Sequence, residues 1–82
     1  MERQDIFEKL NVIFKEVLDL EESPILTDAS SSNDFEEWDS LAQIQLIVAI
    51  EKEFNIKFTA KEIMLWKTVG EMVNSIQPKL NQ

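Results

Sequence analysis

The sequence predicts an all-α fold, a four-helix bundle with a long first loop and a short third helix, and three observations carry that prediction. Apolar residues recur at steps of three and four in separate stretches, the spacing of helix faces turned toward a core. No strand signal is longer than Ile56 to Phe58. The chain is 44% hydrophobic with one glycine and two prolines, a composition that folds rather than staying disordered. Its 82 residues suffice for one core that buries roughly 60–65% of the unfolded surface, so residues 1–82 are read as a single domain.

The first helix is predicted over residues of about 4 to 19. Ile6, Phe7, Leu10, Ile13, Phe14, Val17 and Leu18 form its stripe, with Arg3, Glu8, Lys9, Lys15 and Glu16 between them. From Leu20 to Trp38 the period vanishes, Pro24 blocks a helix, and Ala29 to Asp34 is polar and turn-forming. Structureless links of this length are usually functional or pinned down. Ile25, Leu26, Phe35 and Trp38 are the residues expected to pin it, with a short helical turn around Asp34 to Glu37.

Asp39-Ser40-Leu41 opens the second and most apolar helix, which runs to Phe54. At about 100° per residue, Ile44, Leu46, Ile47, Ile50 and Phe54 share one wide arc, the expected core face. Leu41 and Val48 lie off it, two turns apart beside Gln45 and Lys52, where they form a small exposed ridge. Asn55 to Phe58 turns the chain into a short third helix. Its start is marked by Thr59 and Glu62 at capping-box spacing, and Ile63, Met64 and Trp66 follow. Thr68 and Glu71 repeat the device for a fourth helix, which buries Val69, Met72, Val73 and Ile76 and is expected to stop at Pro78.

Composition excludes much. There is no cysteine and no histidine, which removes disulfides, thiolate nucleophiles and most compact zinc and acid–base sites. The formal charge of −8 disfavours nucleic acid and anionic membranes and favours basic protein partners. Nine acids from Glu16 to Asp39 occur with no Lys or Arg between them, so one end of the molecule should carry a negative field. Residues Asp28 to Asp39 have the length of a calcium loop but lack its glycine and its closing glutamate, and read better as a solvated loop. The charged stretch Met1 to Leu10 is no secretory signal, and the longest apolar run, Leu46 to Ile50, is too short to span a membrane. A cytoplasmic location is expected. Met1 and the polar tail Lys79 to Gln82 are read as the ends of a complete small protein, monomeric by default.

Three readings compete at Asp39-Ser40. Either residue could be only the N-cap of the second helix, since both types are favoured there. Ser40 as a catalytic nucleophile fails, because no histidine exists to activate it and Gln43 stands where a Ser-x-x-Lys pattern needs lysine. In the third reading another enzyme modifies Ser40, and an added phosphodiester sits favourably at the positive end of the helix dipole.

At these residues the sequence resembles the acyl carrier protein family. Asp39-Ser40-Leu41 carries the resemblance, followed by Ile44-Gln45-Leu46-Ile47, Ala49-Ile50-Glu51-Lys52-Glu53-Phe54 and Asn55-Ile56-Lys57-Phe58. The resemblance implies a bundle of acyl-carrier type whose Ser40, next to Asp39, receives 4'-phosphopantetheine from coenzyme A through a separate phosphopantetheinyl transferase. The arm's thiol would hold acyl or aminoacyl groups as thioesters, making the protein a non-catalytic carrier. Implied partners are that transferase, an acyl- or adenylate-forming ligase, and a ketosynthase or acyltransferase. Leu41, Val48, Gln45 and Glu51 would dock them, and Phe58, Ile63 and Trp66 would line a cleft for the arm or its acyl group. Fatty-acid carriers usually have a small residue before the motif's aspartate, where this chain has Glu37-Trp38. Glu37-Trp38-Asp39-Ser40-Leu41 looks more like free-standing carriers of specialised pathways, such as polyketide, peptide-synthetase-like or polysaccharide-modifying ones. The competing expectation is an unmodified acidic helical module that binds one basic partner.

Overall fold

The computed structural model describes residues 2–80, so residues 81 and 82 of the polar tail, like residue 1, lie outside the described residues. Helix α1 spans Arg3–Val17, α2 Ser40–Phe54, α3 Ala60–Met64 and α4 Val69–Leu80, and among the described residues there is no strand. The bundle is therefore all-α with the long first loop and short third helix the sequence predicts. No described helix is long and apolar enough to cross a membrane.

α1 buries Ile6, Leu10, Ile13 and Phe14, and Leu18 just beyond its end is buried as well. It stops at Val17 because Asp19 takes the left-handed conformation at φ 54°. The Leu20 N–H then reaches back to the Lys15 carbonyl at 3.0 Å, a Schellman closure. α2 ends in the same way, with Asn55 at φ 55° and the Ile56 N–H on the Glu51 carbonyl at 3.1 Å. α1 packs against α2 and α4, and Phe14, Leu46, Ile50, Met72, Val73 and Ile76 are among the fully buried side chains between them. Fully burying one such side chain contributes about 1.5–3 kcal/mol.

The core face of α2 differs from the expected arc. Ala42, Leu46, Ile50 and Phe54 are buried, whereas Ile44 is 60% exposed and Ile47 only half-buried. The stripe follows one i, i+4 row from Ala42, whose small side chain admits close approach, and that row leaves Ile44 on the opposite side of the helix.

The loop between α1 and α2 is pinned at three places. Leu26 is buried, and its N–H donates to Asn11 Oδ1 at 3.0 Å. Phe35 and Trp38 pack on Phe14, the Trp38 ring edge-on at 5.0 Å. The Ser30 and Asp28 carbonyls accept from the Val69 and Gly70 N–H groups at 2.8 and 3.2 Å, which satisfies free donors at the start of α4. The approach at Gly70 leaves no room for a side chain, since a Cβ there would lie 2.8 Å from the Asp28 carbonyl oxygen. The Arg3 guanidinium adds bonds to the Asp28 carboxylate, to Asn74 Oδ1 at 2.9 Å and to the Gly70 carbonyl at 3.3 Å.

Three further expectations are corrected. Ile25 does not pin the loop: it is 88% exposed, because neighbouring residues of an extended segment point to opposite sides and Leu26 takes the inward one. The short turn is a 3-10 turn at Ser32–Asp34, ahead of the expected Asp34 to Glu37, and is set by Ser31 and Asp34 capping each other's backbone. Pro78 does not stop α4, which runs to Leu80. Proline costs one hydrogen bond in this last turn, and continuing lets Lys79 pair with Glu62 at 3.1 Å and Leu80 pack on the core.

Candidate attachment site at the start of the second helix

Asp39 and Ser40 divide the two roles left open between them. Asp39 is the N-cap of α2: its Oδ1 accepts from the Ala42 N–H at 2.8 Å and its carbonyl from the Gln43 N–H at 2.9 Å. Ser40 is the first helical residue and is exposed, and its hydroxyl makes no hydrogen bond among the described residues. The cap is therefore in place without it, and the hydroxyl stands open to solvent.

Trp38 fixes the chain just before the cap. Its ring sits against Phe14 and Phe35, and its Nε1–H donates to Gln43 Oε1 at 2.6 Å, one turn into α2. The backbone entering the helix is thus held from the core side and from the helix side. Trp38 pins the loop as expected and in addition bonds Gln43, a contact outside the sequence expectations. The five-residue separation of a donor and an acceptor across a helix start was the available signal.

Beside Ser40 lies an open cleft of about 470 Å³, lined by Trp38, Gln43, Ile63, Trp66, Lys67 and Met72 among others. Ile63 and Trp66 are thereby brought to the serine. Phe58 is not in the lining but packs edge-on behind Trp66 at 4.7 Å, and the Lys79 ammonium lies over the Phe58 ring at 5.7 Å. The Trp66 Nε1–H is held by Ser75 Oγ at 2.8 Å. Gln43 lines the cleft from the start of α2, whereas Lys67 is brought to the serine from the turn before α4, far along the chain.

Leu41 and Val48 are 65% and 46% exposed, and Ile44 joins them on the outward face of α2. Gln45 is exposed beside them. Glu51 is half-buried, and its Oε2 accepts from the Phe58 N–H at 2.9 Å, which ties one of its oxygens to the turn after α2. At the start of α3 the Thr59–Glu62 box forms, with bonds of 2.9 and 3.2 Å. The Thr59 N–H, with the Lys79 ammonium next in weight, holds the Glu62 carboxyl below its ordinary pKa. Asp34, Glu36, Glu37 and Asp39 are all exposed. The ion pairs among the described residues are Arg3–Asp28, Lys9–Glu53 and Lys79–Glu62, so this acidic run ahead of Ser40 takes part in none of them.

An exposed hydroxyl at a fixed helix start, beside a cleft with apolar walls and polar groups, fits a serine that carries a long prosthetic group. Comparison with known proteins points the same way. The family model described as a phosphopantetheine attachment site matches residues 8–76. The chain is 35% identical over 81 residues to an acyl carrier protein of Petrotoga mobilis, covering 99% of this chain and 94% of that one. It is 33% identical over 78 residues to the acyl carrier protein of Thermotoga maritima, covering 95% of each. The solution NMR structure of a holo acyl carrier protein from Geobacter metallireducens is similar with a TM-score of 0.84 and 37% identity, over 92% of this chain and 85% of that one.

Proposed function

The chain belongs to the acyl carrier protein family, and from that premise we propose that Ser40 is the residue on which it bears its phosphopantetheine. The exposed, unbonded Ser40 hydroxyl, with capping already supplied by Asp39, is the observation that carries this reading. As a member of the family the protein holds acyl groups on a covalently attached phosphopantetheine, whose thiol supplies the thioester chemistry that a chain without cysteine lacks.

In this reading Ser40 Oγ forms the new bond to phosphorus while the pyrophosphate link of coenzyme A breaks and adenosine 3',5'-bisphosphate leaves. A phosphopantetheinyl transferase supplies the base that takes the serine proton, since no histidine or cysteine is present to do so. Asp39 is committed to the Ala42 N–H and serves to hold the helix start. The protein itself catalyses nothing. Ile63 and Trp66 wall the cleft that receives the arm, with Phe58 backing Trp66. Leu41 and Val48, flanked by Gln45 and by Glu51 at the far end, dock the transferase and the ligase, ketosynthase or acyltransferase that load and unload the arm. Trp38 in place of a small residue supports a specialised pathway.

The test is intact mass after incubation with coenzyme A and a broad-specificity phosphopantetheinyl transferase, with Ser40→Ala in parallel. The parent should gain one phosphopantetheinyl group and the variant none. Modification of the variant would move the attachment point elsewhere, and no gain in the folded parent with several transferases would leave an unmodified acidic interaction module.

A further inference from the structure

We propose that Lys67 holds the prosthetic arm in place: its ammonium pairs with the phosphodiester on Ser40 and turns the arm into the cleft between Trp38 and Trp66. This rests on Ser40 being the attachment point.

Lys67 is the one cation among the residues that line the cleft with Ser40. It is exposed and takes no part in the ion pairs among the described residues. It also precedes the N-terminal end of α4, where a positive charge is unfavourable and an anion is preferred. Asp39 shares the lining but forms no ion pair with Lys67, so an arriving phosphodiester would supply the partner that this lysine lacks among the described residues. Several backbone donors in the neighbourhood are already used, and the Ser40 and Leu41 N–H groups at the start of α2, unbonded among the described residues, carry no net charge. The first N–H groups of α4 go to Ser30, Asp28 and Thr68, and those of Ala42 and Gln43 go to Asp39.

A second charge consideration agrees. Modification adds a permanent negative charge next to Asp39 in a chain already at −8. An arm left free would be driven outward by that field, whereas a pair with Lys67 draws its first atoms along the cleft wall. Beyond the phosphate, the indole rings of Trp38 and Trp66 and the side chain of Ile63 offer apolar contact, and Gln43 and Thr68 offer groups for the arm's amides.

The chain has two tryptophans, and both line this cleft, so the indole N–H resonances report on it alone. Apo and holo forms of the parent, Lys67→Gln, Lys67→Arg and Lys61→Gln are compared, each modification verified by intact mass. Lys61 is an exposed lysine of α3 outside the cleft lining and controls for loss of charge. Modification should shift both indole resonances and the intrinsic emission in the parent, Lys67→Arg and Lys61→Gln. In Lys67→Gln both shifts should be lost. In the parent they should fade at about 1 M salt, where the Debye length is about 3 Å, and the phosphorus resonance should differ between parent and Lys67→Gln. A mass gain with the same indole shifts in Lys67→Gln as in the parent overturns the proposal and leaves the attachment site standing. Absence of any mass gain overturns both.

Discussion

At the scale of single residues, the division between Asp39 and Ser40 separates stability from function. Asp39 Oδ1 satisfies the Ala42 N–H, and loss of such a cap costs about 1 kcal/mol. The Ser40 hydroxyl has no bond to lose among the described residues, and an exposed substitution of that kind stays within about 0.5 kcal/mol. In urea unfolding, Asp39→Ala should therefore be less stable by about 1 kcal/mol, while Ser40→Ala matches the parent. Equal losses in the two variants would mean that the serine shares the cap. Both residue types suit an N-cap, so the sequence left the choice open, and only the backbone path fixed by Trp38 on Phe14 resolves it.

At the scale of elements, α3 is five residues long and is too short to be stable by its own hydrogen bonds. The Thr59–Glu62 box and the bond from Glu62 to Lys79 of α4 hold it in place. That arrangement gives a pH dependence with a definite sign. The Glu62 carboxyl is held below its ordinary value of 4.5, first by the Thr59 N–H and then by Lys79. A lowered folded value means that its contribution is complete above the ordinary value and is lost as pH falls through the lowered one. Melting temperatures of the parent and Glu62→Gln should differ most near neutral pH and converge below 4.5. A gap that stays constant across this range would remove Glu62 ionisation from the account. The box was legible from its spacing. Its partner on α4 was not, because Lys79 lies beyond the proline at which the helix was expected to end.

At the scale of the whole molecule, charge and apolar surface are arranged next to each other. The exposed run of Asp34, Glu36, Glu37 and Asp39 leads into Ser40, and Leu41, Ile44 and Val48 follow on the outward face of α2. Charges at the rim of an interface act mainly on the association rate, and apolar contacts on the lifetime. Binding to a transferase with a basic rim should accordingly slow as ionic strength rises from about 0.01 to about 0.15 M. Replacing Glu36 and Glu37 together by glutamine should flatten that dependence with little effect on dissociation, as stopped-flow measurements would record. A salt slope unchanged in the double variant would place the steering charge elsewhere.

The sequence by itself determined the helices, their order, the acidic run and the candidate serine, because these follow from local rules. Residue spacing sets which stretches are helical, capping residues mark where they begin, and charge is a sum over the chain. Tertiary structure decided what depends on partners far away in sequence. Ile44 faces solvent because the i, i+4 row starting at Ala42 meets α1, and periodicity alone could not choose between two overlapping arcs of an apolar helix. α4 continues through Pro78 because the Glu62 bond and the packing of Leu80 outweigh one missing hydrogen bond. The cleft is made by the start of α2, the end of α3 and the turn before α4, so no single stretch of sequence could show that Lys67 stands with Ser40.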